Sequence, residues 1–230
     1  METTQNSYLE LIIGPMFSGK TSRLIDIYKQ HNFCGNNPIV INFSGDNRYS
    51  DFQTHLSTHD ERKIPCIRAS NLNDIFNIEH GLSQTNFDNA INSFGDDLEK
   101  IKLYNSLYNS NYPTFSNVIL INEGQFFDDL VEWTLFMVYN MKKTVYIAGL
   151  DGDYLRKPIG RILELIPHSN KTTKITSLCY NCKNGTQAIF SHRVTSEQEQ
   201  VVIGSDNYIP LCRDCYVSSN SESLYNHQAT

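Results

Sequence analysis

The feature that most constrains this chain is the segment 14–21, which reads Gly-Pro-Met-Phe-Ser-Gly-Lys-Thr. It follows an apolar run over residues 8–13 and precedes a segment with helical spacing that extends to about residue 31. A turn of this spacing between a strand and a helix is typical of loops that bind the phosphates of a nucleoside triphosphate. Backbone N–H groups and the positive helix end face the phosphate oxygens there. The alternative, a chance match in an ordinary turn, would not require the strand before it and the helix after it.

Apolar runs alternate with helical patterns along the first part of the chain. The expected strands are residues 8–13, 39–43, 118–121 and 144–148, with a weaker candidate at 64–67. The expected helices are residues 20–31 and 128–141. This order predicts an α/β fold with a parallel sheet flanked by helices.

In such a sheet, ligands collect at the carboxyl ends of the strands. The segments that follow strands here are residues 14–21, 46–49, 123–126 and 150–154. We therefore expect these four segments to form one site.

Two Cys-x-x-Cys pairs lie near the end of the chain. They are formed by Cys179 and Cys182, and by Cys212 and Cys215. Four thiolates with duplicated spacing are typical of a closed tetrahedral zinc site, and a site without an open position is structural rather than catalytic. Disulfides or a redox pair are the alternatives. Both are disfavoured by the reducing compartment expected for this chain.

These patterns divide the chain into an α/β domain over residues 1–177 and a small zinc-binding lasso domain over residues 178–217. Residues 218–230 are polar and are predicted to be a disordered tail. Residues 71–117 are rich in asparagine and are predicted to be a partly helical surface insertion without a catalytic role.

The charge and the apolar pattern exclude several classes of protein. The net charge is −6 and no basic run is present, which argues against duplex nucleic acid as a partner. No apolar stretch approaches the roughly 20 residues that span a bilayer. Residues 1–7 lack the apolar core of a signal peptide. We therefore expect a cytoplasmic protein without a membrane partner.

Further motifs occur in one order after the phosphate-binding loop. They read Asp-Asn-Arg-Tyr-Ser, Glu-Gly-Gln-Phe-Phe and Leu-Asp-Gly-Asp-Tyr-Leu-Arg-Lys-Pro, followed by the two cysteine pairs. With these motifs the chain resembles the type II thymidine kinases, the cytosolic and viral class with an added zinc lasso. The resemblance covers about residues 8–217, apart from much of 71–117. It implies transfer of the ATP γ-phosphate to the 5′-hydroxyl of thymidine with Mg²⁺, usually by a homotetramer. Deoxyuridine is a further candidate substrate.

The resemblance also implies a role for individual residues. Those implied to bind ATP and Mg²⁺ are Gly14, Pro15, Met16, Phe17, Ser18, Gly19, Lys20, Thr21, Asp46, Asn47, Arg48, Asn122 and Gln125. Those implied to line the nucleoside pocket are Met16, Phe126, Leu150, Tyr154, Ser191, Val201, Val202, Ile203, Gly204 and Tyr208.

Glu123 aligns with the general base of the family. A carboxylate at a strand end beside the phosphates can accept the proton of an attacking hydroxyl. The alternative is a carboxylate that only suits a helix N-terminus. Our central expectation is that Lys20 and Glu123 face one cavity, which the cysteine-anchored lasso closes.

One residue departs from the family pattern. The family usually has Asp-Glu-Gly-Gln, whereas this chain has Asn122 in place of the aspartate. Without that negative charge we predict retained activity with a magnesium site that is weaker or depends more on Asp46. Two alternative functions remain: an inactive nucleoside-binding homologue, and a zinc-containing ATP-dependent protein that binds nucleic acid. The second would need further motor motifs and a basic track, and the sequence shows neither.

Overall fold

The computed structural model describes residues 7–45, 55–58, 62–73, 75, 116–202 and 204–226, with backbone alone for 221–226. Four of the predicted site residues lie outside these ranges, namely Asp46, Asn47, Arg48 and Ile203. Most of the predicted insertion and the last four residues lie outside them as well.

The described residues form twelve strands and three α-helices. In chain order the strands are β1 (Tyr8–Ile13), β2 (Ile39–Phe43), β3 (His55–Ser57), β4 (Lys63–Pro65), β5 (Ile67–Ala69), β6 (Val118–Asn122), β7 (Thr144–Gly149), β8 (Lys171–Lys174), β9 (Ser177–Leu178), β10 (Gln187–Ala188), β11 (Phe190–Arg193) and β12 (Tyr208–Leu211). The helices are α1 (Lys20–Phe33), α2 (Leu130–Leu135) and α3 (Arg213–Asn226). Short 3₁₀-helices cover Gly124–Phe126, Ile162–His168 and Ser205–Asn207, and a π-helical turn over Phe136–Asn140 continues α2.

The central sheet has the strand order β5-β2-β6-β7-β1-β8 within the described residues, and every pairing in it is parallel. Its inner strands are apolar because both faces are covered. All five residues of β6 are buried. Leu24 and Ile25 of α1 pack on one face, while Leu130 and Met137 pack on the other. The predicted α/β architecture with a parallel sheet flanked by helices is therefore confirmed.

The differences from the sequence prediction lie at the edges of the sheet and at the C-terminus, where α3 covers residues 218–226 that were predicted to be part of a disordered tail. Strand β8, Lys-Thr-Thr-Lys, was not predicted, because an edge strand needs no apolar residues to form its ladder. The weak strand candidate over residues 64–67 is in fact parts of two strands: β4 pairs with β3 outside the main sheet, and β5 pairs with β2. Leu72 and Ile75, at the start of the predicted surface insertion, are buried in the core.

A C-terminal module, defined here as β9–β12 and α3, packs beside the carboxyl ends of the central strands. Two antiparallel pairs, β9 with β10 and β11 with β12, form its framework. Its apolar core is small and centres on Ala188, Leu211 and Tyr216. None of the described helices combines the length and apolar character that a membrane span requires.

Candidate functional site

The loop between β1 and α1, residues 14–21, is called the phosphate-binding loop here after its predicted role. Its backbone conformation depends on its glycines. Gly14 has φ 153° and Gly19 has φ 82°. A Cβ atom on Gly14 would lie 2.2 Å from the carbonyl oxygen of Ile175, so only glycine fits there. The amino group of Lys20 donates to the carbonyl oxygen of Pro15 at 2.6 Å, and the Ser18 hydroxyl donates to the same oxygen at 2.8 Å. The lysine side chain is thus folded over the loop, where it is 9% exposed.

The start of α1 is connected to the carboxyl ends of β6 and β2 by three polar side chains. The Thr21 hydroxyl donates to Oδ1 of Asn122 at 3.3 Å. Nδ2 of Asn122 donates to Oδ1 of Asn42 at 2.9 Å. Two oxygen atoms, Thr21 Oγ1 and Asn122 Oδ1, therefore lie together beside the phosphate-binding loop. Oxygen ligands of this kind suit Mg²⁺, although neither carries a charge.

Glu123 follows β6 directly and has left-handed backbone angles, φ 56° and ψ 42°. Such a conformation costs roughly 1–3 kcal/mol in a residue other than glycine, and residues of this kind cluster at functional sites. The side chain of Gln125 holds the carboxylate in place. Its Nε2 donates to Glu123 Oε2 at 2.7 Å, and its Oε1 accepts from the backbone N–H of Leu150 at 2.9 Å.

Because a backbone N–H can only donate, the second bond fixes which end of the Gln125 amide faces Glu123. Two glycines leave room for Gln125, one beside its side chain and one beside its backbone. A Cβ on Gly149 would lie 2.6 Å from Gln125 Oε1, and a Cβ on Gly160 would lie 1.9 Å from the Gln125 carbonyl oxygen. Gln125 is therefore enclosed, at 3% exposure, between Glu123 and the end of β7.

A cavity of about 550 Å³ opens between the phosphate-binding loop and the C-terminal module. The predicted site residues that line it are Met16, Phe17, Ser18, Gly19, Lys20, Thr21, Asn122, Glu123, Phe126, Leu150, Tyr154, Ser191, Val201, Val202, Gly204 and Tyr208. Lys20 and Glu123 thus face one cavity, as expected. Gly14, Pro15 and Gln125 do not line it. The roles of all these residues stay predictions.

The C-terminal module reaches the phosphate-binding loop through Ser191, whose hydroxyl accepts from the backbone N–H of Met16 at 2.9 Å. The Tyr216 hydroxyl of α3 donates to the carbonyl oxygen of Tyr154 at 2.5 Å. These two contacts hold the module against the loops that follow β1 and β7. The cavity is therefore built jointly by the sheet and the module.

The sequence did not single out several residues at this site. Arg193, 5% exposed, donates to three carbonyl oxygens of the loop after β11. Asp153 accepts from the backbone N–H groups of Leu155 and Lys157, and Gln200 Nε2 donates to its other oxygen. Asp153 lies in the predicted segment 150–154, so position could have found it. A lone arginine in a polar loop carries no such signal.

The four cysteine sulfurs lie within 4.8 Å of one another. Cys182 Sγ is 3.8 Å from Cys212 Sγ and 3.5 Å from Cys215 Sγ. A regular tetrahedron with Zn–S bonds of about 2.3 Å has edges of roughly 3.8 Å, so the cluster fits zinc. A disulfide needs about 2.05 Å and is excluded for this arrangement. Burial raises the pKa of the Cys179 thiol, but backbone hydrogen bonds outweigh it and lower that pKa to about 6. Hydrogen bonds with Cys182 and Cys212 raise the pKa of the Cys215 thiol, so the metal-free cluster favours one thiolate rather than four. A thiolate is the form that binds a metal.

Comparison with known proteins decides which family this site belongs to. A family model described as thymidine kinase matches residues 7–91 and 88–216. The chain belongs to the thymidine kinase family. A thymidine kinase from Yaba monkey tumor virus is 35% identical over 95% of the chain and 99% of the relative. A thymidine kinase from Vaccinia virus (strain Ankara) is 36% identical over 92% and 98%. "Thymidine kinase 1" of Dictyostelium discoideum is 34% identical over 93% and 79%. The family predicted from the motifs is therefore confirmed.

Proposed function

We propose that this chain is an ATP-dependent nucleoside kinase that phosphorylates thymidine to thymidine monophosphate. Membership of the thymidine kinase family supports the reaction class and the substrate. The observation that carries the proposal is the cavity that Lys20 and Glu123 both line, since it also contains the residues expected to surround a nucleobase. A phosphate-binding loop at one end and an aromatic wall at the other suit ATP and a nucleoside.

In the proposed reaction, the carboxylate of Glu123 accepts the proton of the nucleoside 5′-hydroxyl as that oxygen bonds to the γ-phosphorus. The bond from the γ-phosphorus to the β,γ-bridging oxygen breaks, and ADP leaves. Residues 14–21 bind the triphosphate through backbone N–H groups. Lys20 offsets the negative charge on the transferred group. The hydrogen bond from Gln125 keeps the Glu123 carboxylate oriented toward the cavity.

Magnesium, when bound with ATP, would neutralise negative charge on the phosphates. Thr21 and Asn122 are the described residues that fit as its oxygen ligands, directly or through water. The proposed contributions of Asp46, Asn47 and Arg48 to this end of the site stay predictions. Asn122 supplies an amide oxygen where the family usually has a carboxylate, so we propose a weaker metal site.

For the nucleoside, we propose that Phe126 and Tyr154 offer aromatic faces to the base. Met16, Leu150 and Ser191 complete the walls. The backbone of residues 201–204 is proposed to hydrogen-bond the base edge, because each of these residues carries both an N–H and a C=O group. Tyr208 holds that segment in place. Deoxyuridine differs from thymidine by one methyl group and is proposed as a second substrate.

The metal, the oligomeric state and the compartment are also proposed. The four cysteines bind a structural Zn²⁺ that fixes the two ends of the lasso, residues 178–217. The active assembly is a homotetramer, as the resemblance to the family suggests. The enzyme works in the cytoplasm.

A steady-state assay with ATP and each of the four deoxynucleosides, plus deoxyuridine, tests the proposal. We expect turnover with thymidine, lower or no turnover with the purine nucleosides, and loss of activity in Lys20→Ala. Glu164→Gln is the control, because this exposed carboxylate pairs with Arg161 on the surface. Stabilisation of the chain by thymidine in a thermal-shift experiment without any turnover would contradict kinase activity and identify an inactive nucleoside-binding homologue.

A further inference from the structure

Arg193 ends β11 with its charged side chain buried at 5% exposure. Its Nη1 donates to the carbonyl oxygens of Glu197 at 3.0 Å and Glu199 at 2.5 Å, and its Nη2 donates to that of Gln200 at 3.1 Å. In the part of the chain that the structure describes, no carboxylate oxygen lies within ion-pair distance of this guanidinium. Backbone carbonyl groups therefore balance most of the buried charge, and the Glu197 carboxylate attracts it from beyond ion-pair distance.

The same guanidinium contacts two aromatic side chains that line the cavity. The Cζ atom of Arg193 lies 3.7 Å from the ring centroid of Tyr154 and 5.2 Å from that of Tyr208. Its Nη2 also donates to the Tyr208 hydroxyl at 2.7 Å. That hydroxyl accepts from the backbone N–H of Val202 and donates to the carbonyl oxygen of Val202, both at 3.2 Å. Arg193 thus connects the loop that follows β11 with two walls of the cavity.

Arg193 does not itself line the cavity, so it would not contact a ligand bound there. The loop it holds leads into residues 201, 202 and 204, which do line the cavity. Other side chains hold the same loop. The Tyr154 hydroxyl donates to the carbonyl oxygen of Gln198, and Gln200 Nε2 donates to Asp153 and, at 3.4 Å, to the carbonyl oxygen of Pro158. Tyr154 makes one hydrogen bond to the loop backbone and Tyr208 makes two, whereas Arg193 makes three.

We propose that Arg193 is a positioning residue that holds residues 197–202 closed over the nucleoside, so that nucleoside affinity depends on it while ATP binding does not. This proposal rests on the proposed function. It adds the residue that sets the shape of the cavity at the end proposed to bind the nucleoside. The planar guanidinium suits this role because its fork of donors can bond several carbonyl oxygens at once. A lysine carries the same charge without that geometry.

The variants Arg193→Gln and Arg193→Lys test the proposal in the full chain. Because Arg193→Gln removes several hydrogen bonds donated by a charged group, we expect the KM for thymidine to rise roughly tenfold or more. The KM for ATP should stay within about twofold of wild type. The thymidine KM of Arg193→Lys should lie between those of wild type and Arg193→Gln. Arg156→Gln is the matched control, because Arg156 is an exposed arginine stacked on Tyr216, 4.9 Å from its ring centroid. A thymidine KM unchanged in folded Arg193→Gln, or an equal rise in both KM values, would overturn the proposal.

A second readout does not depend on activity. A protease that cleaves after glutamate has two sites in the held loop, Glu197 and Glu199. We expect faster cleavage there in Arg193→Gln and an unchanged rate in Arg156→Gln. Equal cleavage in wild type and Arg193→Gln would contradict the proposal even if the kinase assay failed. If wild type phosphorylates no nucleoside while the cleavage difference is found, the proposed function is wrong and the role of Arg193 in closing the loop stands.

Discussion

The two ends of the cavity are held by different forces. At the phosphate end, the loops follow strands whose side chains form the main core: Ile12 and Ile121 are fully buried, and Ile13 is nearly so. At the proposed nucleoside end, the C-terminal module has a small core around Ala188 and Leu211, and its loops are held by hydrogen bonds beside the four-cysteine cluster. Apolar burial therefore fixes the groups proposed for phosphate transfer. Polar contacts fix the groups proposed for nucleoside recognition.

This difference predicts which kinetic or binding constant a substitution at each end of the cavity should alter. A loop anchored on a buried parallel sheet moves little, because moving it would disturb the packing beneath it. A loop held by hydrogen bonds can open locally at a lower free-energy cost. Changes at the sheet end should therefore alter turnover or ATP affinity, whereas changes in the module should alter nucleoside affinity.

Glu123→Gln should give the largest effect at the sheet end. Removing a general base lowers kcat by about 10²–10⁴-fold, because the 5′-hydroxyl then loses its proton acceptor. Thymidine binding by calorimetry should be unchanged. The control Glu164→Gln should keep wild-type turnover. If Glu123→Gln kept kcat within about tenfold of wild type, Glu123 would not be the base.

Gly14→Ala should weaken ATP binding without changing thymidine binding. The new methyl group would meet the Ile175 carbonyl at 2.2 Å in a backbone with φ 153°. Strain of this kind costs about 1–3 kcal/mol, so the KM for ATP should rise roughly tenfold or more. Gly185→Ala is the control, since Gly185 has φ 91° and nothing within 4 Å of the added Cβ. Equal effects of the two substitutions would show that the contact with Ile175 is unimportant.

Gln125→Ala should lower kcat by about tenfold, because the Glu123 carboxylate loses a buried hydrogen bond that orients it. Gln125→Glu gives a more specific result. Two neighbouring carboxylates resist being ionised together, so Glu123 would keep its proton to higher pH. The acidic limb of the kcat/KM profile should therefore move to higher pH, with activity lost earlier on acidification. An unmoved profile in Gln125→Glu would contradict the positioning role.

Asn122→Asp should give the smallest effect. The new carboxylate adds a charged oxygen beside Thr21, so the Mg²⁺ concentration for half-maximal activity should fall by a few-fold at about unchanged kcat. The contact with Asn42 persists only if the Asn42 amide turns its NH₂ group toward the carboxylate. Asn36→Asp, an exposed change of the same charge, is the control. A metal requirement that does not change would count against Asn122 as a metal ligand.

The same difference explains how much the sequence could predict. Strands β1 and β2 were predicted with their observed bounds, since buried parallel strands are continuous apolar runs between turn residues. Strand β8 was not predicted, because its exposed edge position imposes no apolar pattern. The helix predicted over residues 128–141 is α2 with a π-helical continuation, and no periodicity rule distinguishes the two.

At the site, residues in motifs could be predicted and residues that hold them could not. The phosphate-binding loop, Glu123 and the four cysteines each belong to a local pattern with a chemical meaning. Arg193 acts through carbonyl groups, which every residue has, so its role depends on the folded path of the loop. Gln125 was predicted as an ATP-binding residue from the resemblance, whereas its side chain lies behind Glu123 and outside the cavity lining.

Removing the metal tests most directly whether the two ends of the cavity are supported separately. Calorimetry would measure thymidine and ADP binding before and after treatment with a chelator. A colorimetric assay would measure how much zinc each chain releases. We predict one zinc per chain, a thymidine affinity that falls roughly tenfold or more, and an ADP affinity that stays within about twofold, because the phosphate-binding loop rests on the sheet. Equal loss of both affinities, or an unchanged thymidine affinity in the zinc-free chain, would contradict the account.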